Sequence, residues 1–179
     1  MADGKPISVP VTLAPPDPRW PAQAQAEIAR IRQVIADCVV RIEHIGSTSI
    51  PGIMAKPTID LMPLVTDLAL LEVHADAIRA LGYEWHGDYG LPGRRFFTLN
   101  KDGKRLFNVH GWAADNPDGT RHLAFRDYLR SRPDLAKDYE KVKIRAAELQ
   151  PNNVDAYNDE KNDWIKQVEK DALAWYAKR

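Results

Sequence analysis

The chain has 179 residues, of which 44% are hydrophobic and 28% are charged, and both values are ordinary for a folded globular domain. Lysine plus arginine and aspartate plus glutamate stand at 25 each, which argues against bulk attraction to nucleic acid or to an anionic membrane. One cysteine, Cys38, excludes an intramolecular disulfide and is interpreted as a small buried residue. No apolar run approaches the roughly 20 residues that cross a bilayer, and no signal peptide is recognisable, so we expect a cytoplasmic protein.

The first 21 residues are dense in proline, which blocks helices and central strands. We therefore predict an extended Pro-rich arm over residues 1–18, with an edge strand at Ile7–Leu13. A single domain is predicted over residues 19–179. From Trp20 onward, apolar residues recur at helical spacing and predict an amphipathic helix that ends near Asp37.

Two β-branched segments, Val39–Ile45 and Thr58–Val65, predict neighbouring core strands. Pro63 lies within the second segment and has no backbone donor, so we expect that end of the strand to lose ladder pairing. Two later strands are predicted at Arg94–Asn100 and Leu106–Trp112. The Lys-Asp-Gly-Lys sequence between them is typical of a tight hairpin turn.

Apolar periodicity predicts one helix at Leu68–Leu81, with Gly82 as its C-cap. The last third of the chain is predicted to be helical, with segments that open at Phe125–Arg130, carry an apolar stripe from Leu135 to Ala146, and span Val154–Tyr176. This order of elements predicts an α/β (α+β) fold, in which a mixed sheet is flanked by helices and followed by a helical C-terminal part.

The end of the first strand carries Gly46 and Ser47, and Asp60 follows inside the next strand. Glycine lets the backbone approach a ligand, Ser47 and Thr48 add hydroxyl donors for phosphate, and Lys56 can neutralise phosphate charge. A carboxylate between apolar strand residues is costly to bury unless it is paired or binds a metal, so Asp60 is interpreted as an Mg²⁺ ligand. The alternative is a plain turn between two strands with a Ser/Thr cap.

The segment from His44 to Asp60, HIGSTSIPGIMAKPTID, resembles the signature of the GrpB family. That family is placed in the nucleotidyltransferase superfamily and also occurs fused to some dephospho-CoA kinases. The resemblance spans about residues 9–176 and implies a nucleotidyltransferase-like mixed sheet with a helical C-terminal part. Further similar positions are residues 17–20, 95–97, 108–110 and 125–130, together with Tyr139, Lys143, Tyr157 and Lys161.

The resemblance also implies an activity, Mg²⁺-dependent nucleotidyl transfer. In that superfamily, Asp-x-Asp or Asp-x-Glu on the second strand holds two ions that clamp the attacking and leaving oxygens. Here the residue two positions after Asp60 is Met62, and a thioether does not replace a carboxylate for Mg²⁺. This departure argues against ordinary two-metal chemistry, unless a later acid such as Asp88 takes that place.

Two histidines and several cations complete the candidate set. His110 is a candidate base, metal ligand or phosphate donor, and His44 is a second histidine near the same end of the sheet; the alternative is a hydrogen-bonded structural histidine. Arginine binds phosphate in a bidentate way, but an ion pair within the fold is the alternative for each arginine. The cationic candidates for an anionic ligand are Arg95, Arg126, Arg130 and Lys161.

Three functions remain open at this point. The first is binding of a nucleotide or another phosphorylated small molecule, with Mg²⁺ at Asp60 and His110 as base or orienting group, extending to nucleotidyl transfer. The second is a non-catalytic ligand-binding or accessory module on the same fold, which Met62 favours. The third is other group-transfer or ligase chemistry that uses Asp60 and His110 without two metals.

Overall fold

Five strands form one mixed sheet in the computed structural model, which describes residues 10–179. β2 and β5 run parallel, whereas all other neighbouring strands run antiparallel. The order across the sheet is β1-β2-β5-β4-β3, so the parallel pair lies near its centre. The strands are β1 (Val39–Ile45), β2 (Ile59–Val65), β3 (Tyr83–Trp85), β4 (Arg94–Lys101) and β5 (Lys104–Ala113).

Helices cover both faces of this sheet. The first three pack on one face, the fourth packs on the other, and the last two pack against the fourth. The predicted fold, a mixed sheet flanked by helices with a helical C-terminal part, is confirmed. The helices are α1 (Trp20–Val34), α2 (Leu68–Val73), α3 (Ala75–Ala80), α4 (Pro117–Ser131), α5 (Pro133–Leu149) and α6 (Val154–Tyr176), with a single 3₁₀ turn at Ser47–Ser49.

The two faces of the sheet are built differently. Because successive strand residues point to opposite faces, Leu61 joins the core beneath α1–α3, whereas Met62 packs with Trp112 on the face covered by α4. Asp60 and His110 each lie two positions before one of these buried residues, so they share the α4 face. The apolar α4 face therefore becomes polar toward one end of β2 and β5.

The predicted strand at Ile7–Leu13 is wrong for the part that the structure describes. Residues 10–13 form no strand, and residues 7–9 lie outside the described residues. The backbone N–H of Val11 donates instead to the carbonyl of Pro151, and Ala14 makes one isolated bridge with Ala55. The helix predicted from Trp20 is confirmed, although it ends at Val34.

The single helix predicted at Leu68–Leu81 is two short helices, because the chain leaves helical geometry at His74 (φ −84°, ψ 3°). The ring of His74 lies 2.6 Å from a carboxylate oxygen of Asp37, which anchors this break to the start of β1. Gly82 follows the second helix with φ +98°, as a helix-ending glycine does.

The prediction that β2 loses ladder pairing at its Pro63 end is confirmed only at Pro63 itself, on the side of β5, and is wrong for Leu64 and Val65. The antiparallel ladder with β1 continues to Val65, and the parallel ladder with β5 resumes at Leu64 after an interruption at Met62 and Pro63. The proline, which lacks a backbone N–H donor, therefore interrupts the ladder with β5 only locally. The hairpin turn between β4 and β5 is confirmed, with Asp102 and Gly103 both at positive φ.

Candidate ligand-binding site

A cavity of about 370 Å³ lies where the ends of β1, β2 and β5 meet α4, α5 and α6. Six of the predicted site residues are brought together in it: Gly46, Ser47, Lys56, Asp60, His110 and Lys161. Five others do not line it: His44, Thr48, Arg95, Arg126 and Arg130. The remaining described lining residues are Ile45, Thr58, Asn108, His122, Tyr139, Tyr157 and Asn158.

Asp60 lies at the floor of the cavity, with 26% of its side chain exposed. Its Oδ1 accepts a hydrogen bond from Asn108 Nδ2 at 3.0 Å and lies 3.4 Å from His110 Nε2, which donates to it. Burial raises the pKa of this carboxyl. This effect is outweighed by the hydrogen bond and charge of His110, the hydrogen bond from Asn108 and the charge of Lys56, so the pKa lies below its usual value. Asp60 is therefore an ionised carboxylate.

Gly46 is required by the close approach of the turn to Asp60. A Cβ at this position would lie 2.4 Å from Asp60 Oδ2. The backbone, at φ 71° and ψ −175°, also occupies a region that is essentially restricted to glycine. The turn that follows is one 3₁₀ turn, which is too short to provide a helix N-terminus for binding phosphate.

Lys56 and Lys161, the cavity lysines, flank the ring of Tyr157, with Nζ 5.4 Å and 4.4 Å from its centre. Neither forms an ion pair with a carboxylate in the part of the chain that the structure describes. Burial lowers the pKa of both, and the charge of Lys56 adds to this effect on Lys161, whose pKa falls to about 8 although Asp60 opposes the shift. The site thus holds two ammonium groups that form no ion pair and whose charges are compensated only in part, by Asp60 and, at Lys56, also by Asp155.

Tyr139 joins the cavity wall to α5. Its hydroxyl accepts a hydrogen bond from Ser47 Oγ at 3.3 Å, and its ring stacks on Trp164 at 5.2 Å. Behind it, Lys143 Nζ lies 4.8 Å from the ring centre and donates to the carbonyl of Met54. Burial and the charge of Lys161 lower the pKa of Lys143 to about 7. A third buried amine therefore supports the segment that carries Lys56.

His122 was missed in the sequence, because the first two turns of α4 were not predicted. Asn116 and Pro117 were the available signals, since the Asn116 side chain caps α4 and Pro117 is its first residue. Burial lowers the pKa of His122 to about 3, with the charges of Arg121 and His110 adding to the effect. His122 is therefore a neutral ring in the cavity wall.

Arg95 lies on the opposite face of the sheet from Asp60. Its neighbour Phe96 pairs with His110 across β4 and β5, so Arg95 points the other way. Its guanidinium donates twice to Glu72 Oε2, at 2.7 Å and 3.0 Å. Arg95 is thus engaged in an ion pair with α2.

Arg126 and Arg130, the α4 arginines, hold α4 against the sheet. Arg126 pairs with Glu43 at 2.7 Å and with Asp127 at 2.8 Å, and it donates to the carbonyl of His44 at 3.0 Å. Arg130 donates to the carbonyl of Ser49 at 2.8 Å. Both arginines are therefore engaged within the fold, Arg126 through three partners and Arg130 through its Nε and a 4.0 Å approach of its Nη1 to Asp127.

His44 and Thr48 bond to each other outside the cavity. His44 Nε2 lies 2.9 Å from Thr48 Oγ1, and both side chains are buried. His44 pairs with Leu61 rather than with Asp60 across β1 and β2. Burial, with the charges of Arg130 and Arg126, lowers the pKa of His44 to about 4. The pair closes the turn that carries Ser47.

A second metal-binding carboxylate is absent from the described lining of the cavity, where Asp60 is the only acid. Met62 is fully buried in the apolar cluster below it. Asp88 does not line the cavity and accepts a bond from the Gly90 N–H at 3.1 Å. Within residues 10–179, the group of three potential metal ligands lies elsewhere, at Asp37, Cys38 and His74. The donor set does not fit two Mg²⁺ ions.

A Gly-Ser turn against a strand carboxylate, on a mixed sheet with a helical C-terminal part, is the arrangement that the resemblance predicted. The family model described as GrpB protein matches residues 10–171. The chain belongs to the GrpB protein family. A crystal structure of the conserved protein GrpB from Enterococcus faecalis is 36% identical, with a TM-score of 0.87 over 92% of this chain and 99% of that one.

Two of the proteins that this chain resembles are longer than it is. UPF0157 protein YqkA of Bacillus subtilis is 38% identical over 157 residues, which are 88% of this chain and 46% of that protein. A dephospho-CoA kinase of Mycolicibacterium paratuberculosis is 31% identical over 195 residues, 93% of this chain and 47% of that protein. The chain therefore spans about half the length of each.

A more distant likeness confirms the nucleotidyltransferase-like fold. A structure titled for the activity of a cytoplasmic RNA terminal U-transferase is 15% identical, with a TM-score of 0.51 over 78% of this chain and 41% of that one. At this identity the likeness concerns the fold alone. Separately, none of the helices within residues 10–179 is both long and apolar enough to span a membrane.

Proposed function

We propose that the cavity binds a phosphorylated or other anionic small molecule, a nucleotide included. The observation that supports this most directly is the position of the cavity lysines. Both ammonium groups reach one cavity beside Ser47, and neither has a carboxylate ion-pair partner among the described residues. Buried charges are normally paired, so a ligand that carries negative charge would supply the missing partner.

The balance of charge in the cavity favours such a ligand. Asp60 is the acid among the described lining residues, whereas Lys56 and Lys161 are two bases. A phosphoryl group near Lys56 and Lys161 would remove the unfavourable proximity of like charges and restore the pKa of Lys161 toward its ordinary value. Ser47, which also lines the cavity, would add a hydroxyl contact to the phosphoryl group by releasing its bond to Tyr139.

A single Mg²⁺ ion fits this proposal, whereas two do not. Mg²⁺ is commonly held by one or two carboxylates together with the phosphates of a substrate. Asp60 Oδ1 is used by Asn108 and His110, but Oδ2 accepts no hydrogen bond from the described residues. Asp60 would hold the ion through Oδ2, and the ion would supply charge neutralisation at the phosphates.

Nucleotidyl transfer is the enzymatic form of this proposal. The fold and the position of Asp60 support it, and Met62 limits it to a reaction that proceeds with one protein carboxylate. Asp60 and the cavity lysines would orient the phosphates, and His110, held by Asp60, would take the proton from the attacking hydroxyl as its oxygen bonds to the α-phosphorus and pyrophosphate leaves. If the site binds without turnover, the protein is a ligand-binding or accessory module, a role compatible with the dephospho-CoA kinase relative.

A second candidate rests on the contact between Asp60 and His110. A carboxylate that accepts from one ring nitrogen of a histidine orients the ring and leaves its other nitrogen available as a base. Such a pair supports group transfer or ligation without a metal. Resistance of product formation to EDTA would favour this candidate over nucleotidyl transfer.

The test is calorimetric titration with Mg·ATP, Mg·GTP, Mg·CTP and Mg·UTP, with and without EDTA. We expect the protein to bind, Asp60→Asn to lose the Mg²⁺-dependent part of the affinity, and Lys161→Met to lose tenfold or more. Lys166→Met is the matched control, because Lys166 is exposed on the same helix. Circular dichroism checks that each variant is folded. Failure of the unmodified protein to bind any of the four would refute nucleotide binding at this site, and ³¹P NMR of the mixtures would separate turnover from binding.

A further inference from the structure

We infer that this site recognises the phosphoryl end of its ligand and does not recognise a nucleobase, so the ligand class is defined by clustered negative charge on a polar, non-aromatic body. The inference rests on the proposed function and concerns the same cavity. It follows from what the walls of the cavity leave available for contact.

The two tyrosines in the wall offer no open ring face. Tyr157 is 1% exposed and Tyr139 is 5% exposed. Lys56 and Lys161 lie over the ring of Tyr157, while Trp164 stacks on Tyr139 at 5.2 Å and Lys143 lies over the same ring. A base that stacks on protein needs a free aromatic face, and these faces already have neighbours.

The two histidines in the wall are occupied in a similar way. The ring of His110 lies 5.0 Å from that of Phe96 and 6.0 Å from that of His122. His110 Nε2 is bonded to Asp60, and a guanidinium nitrogen of Arg121 lies 3.4 Å from His122 Nε2. Both rings are therefore part of the wall rather than a slot into which a base inserts.

The rest of the described lining is polar. Ile45 is the aliphatic side chain among the residues that line the cavity, and the others are amides, hydroxyls, charged groups and a glycine besides the rings discussed above. Sites that select an organic ring are lined mostly by apolar and aromatic groups, with few polar ones. Apart from its rings, this cavity is lined mostly by polar side chains, which suits phosphate oxygens and hydroxyls.

The consequence is a simple affinity pattern. If a nucleotide enters, its phosphates occupy the cavity and its base projects away from the wall, where it adds little affinity. A chain of phosphates without a base should therefore bind as well as a nucleoside triphosphate. The identity of the base should not matter.

The experiment compares inorganic tripolyphosphate with ATP, GTP, CTP and UTP by calorimetry, in one Mg²⁺-containing buffer. We expect all five dissociation constants to agree within threefold. Lys161→Met should weaken tripolyphosphate and ATP by the same factor, tenfold or more, and Lys166→Met should weaken neither.

Two results would overturn the inference while leaving the proposed function standing: one nucleotide binding at least tenfold more tightly than tripolyphosphate, or Lys161→Met weakening tripolyphosphate but not ATP. Either would show that the base contributes its own contacts. Absence of binding by all five probes would refute the proposed function itself, and the inference with it.

Discussion

The α4 arginines and the cavity lysines lie on neighbouring elements and carry the same charge, yet their surroundings differ. Arg126 has two carboxylate partners and a carbonyl, and Arg130 has a carbonyl and a long ion pair with Asp127. Lys56 and Lys161 have a tyrosine ring between them and no carboxylate ion pair among the described residues. The fold itself provides partners for the two arginines, whereas the two lysines require an anion from outside the fold as an ion-pair partner.

This difference shows which observation points to a ligand. A positive charge near the Gly46–Ser47 turn is not sufficient, because the fold itself often provides its partner. A partly buried charge without an opposite charge is informative, because holding it costs stability that a bound anion would recover. The two groups therefore respond differently to substitution, as the following predictions describe from the largest effect to the smallest.

Removing the charge of Arg126 should damage the fold. Arg126→Met leaves Glu43 without its partner and breaks the bond to the carbonyl of His44, so we expect a loss of roughly 3 kcal/mol in the free energy of unfolding. Urea denaturation would measure it. Arg132→Met, at an exposed ion pair, should leave the midpoint unchanged. An unchanged midpoint for Arg126→Met would show that its ion pairs do not stabilise the fold.

Gly46 should behave as a structural residue of the site. Gly46→Ala combines glycine-only backbone geometry with a contact to Asp60, and we expect a loss of about 2 kcal/mol or more. Gly52→Ala is the matched control, because Gly52 also has positive φ, but no atom of residues 10–179 beyond its chain neighbours lies within 4 Å of the added Cβ. Its cost should be near 1 kcal/mol. Equal losses by thermal denaturation would show that the contact with Asp60 does not matter.

Removing the charge of Lys161 should stabilise the protein in the absence of ligand. Lys161→Met deletes a partly buried ammonium beside Lys56, so we expect a gain on the order of 1 kcal/mol, together with the loss of anion affinity. Lys166→Met serves again as the control and should change neither quantity. A destabilised Lys161→Met variant would mean that Lys161, like Arg126, already has a partner in the fold.

The pH dependence separates stability from binding. The pKa of Lys161 in the fold, about 8, lies below its unfolded value of 10.5, so the unfolded state binds more protons between them and stability rises with pH from about 8 to 10.5. Affinity for ATP should fall over the same range, by up to tenfold per pH unit, because the ammonium group is lost. The terminal phosphate of ATP ionises near pH 6, so its charge stays constant over this higher pH range. Lys161→Met should reduce the stability slope, to which Lys56 and Lys143 also contribute because the fold lowers their pKa values. It should abolish the binding slope, and retention of the binding slope in this variant would assign it to Lys56 or Lys143.

Much of the fold was predictable from local patterns. Val39–Ile45 is β1 to the residue, and Val154–Tyr176 is α6, since their β-branched and helical periodicities are long and uninterrupted. The missed elements have short or weak patterns: β3 has three residues, and α4 begins with a polar turn. The break at His74 depends on a contact with Asp37, 37 residues away, which no local pattern contains.

The site was predicted less completely than the fold, for a related reason. Gly46, Ser47 and Asp60 share one cavity because β1 and β2 are consecutive and pair directly. The role of each cation depends on distant partners: Arg126 meets Glu43 across 83 positions and Arg95 meets Glu72 across 23. Such pairing is a property of the folded chain, so Arg95, Arg126, Arg130 and Lys161 were indistinguishable before the structure.

A crystal structure of the protein soaked with pyrophosphate and Mg²⁺ would test the central claim most directly. We predict density for the anion within hydrogen-bonding distance of Lys56 Nζ and Lys161 Nζ, beside Ser47. The same soak of Lys161→Met should show no density there. Pyrophosphate bound at Arg126 and Arg130 instead, or an empty cavity in the unmodified protein at saturating pyrophosphate, would contradict the assignment of this cavity as the anion site.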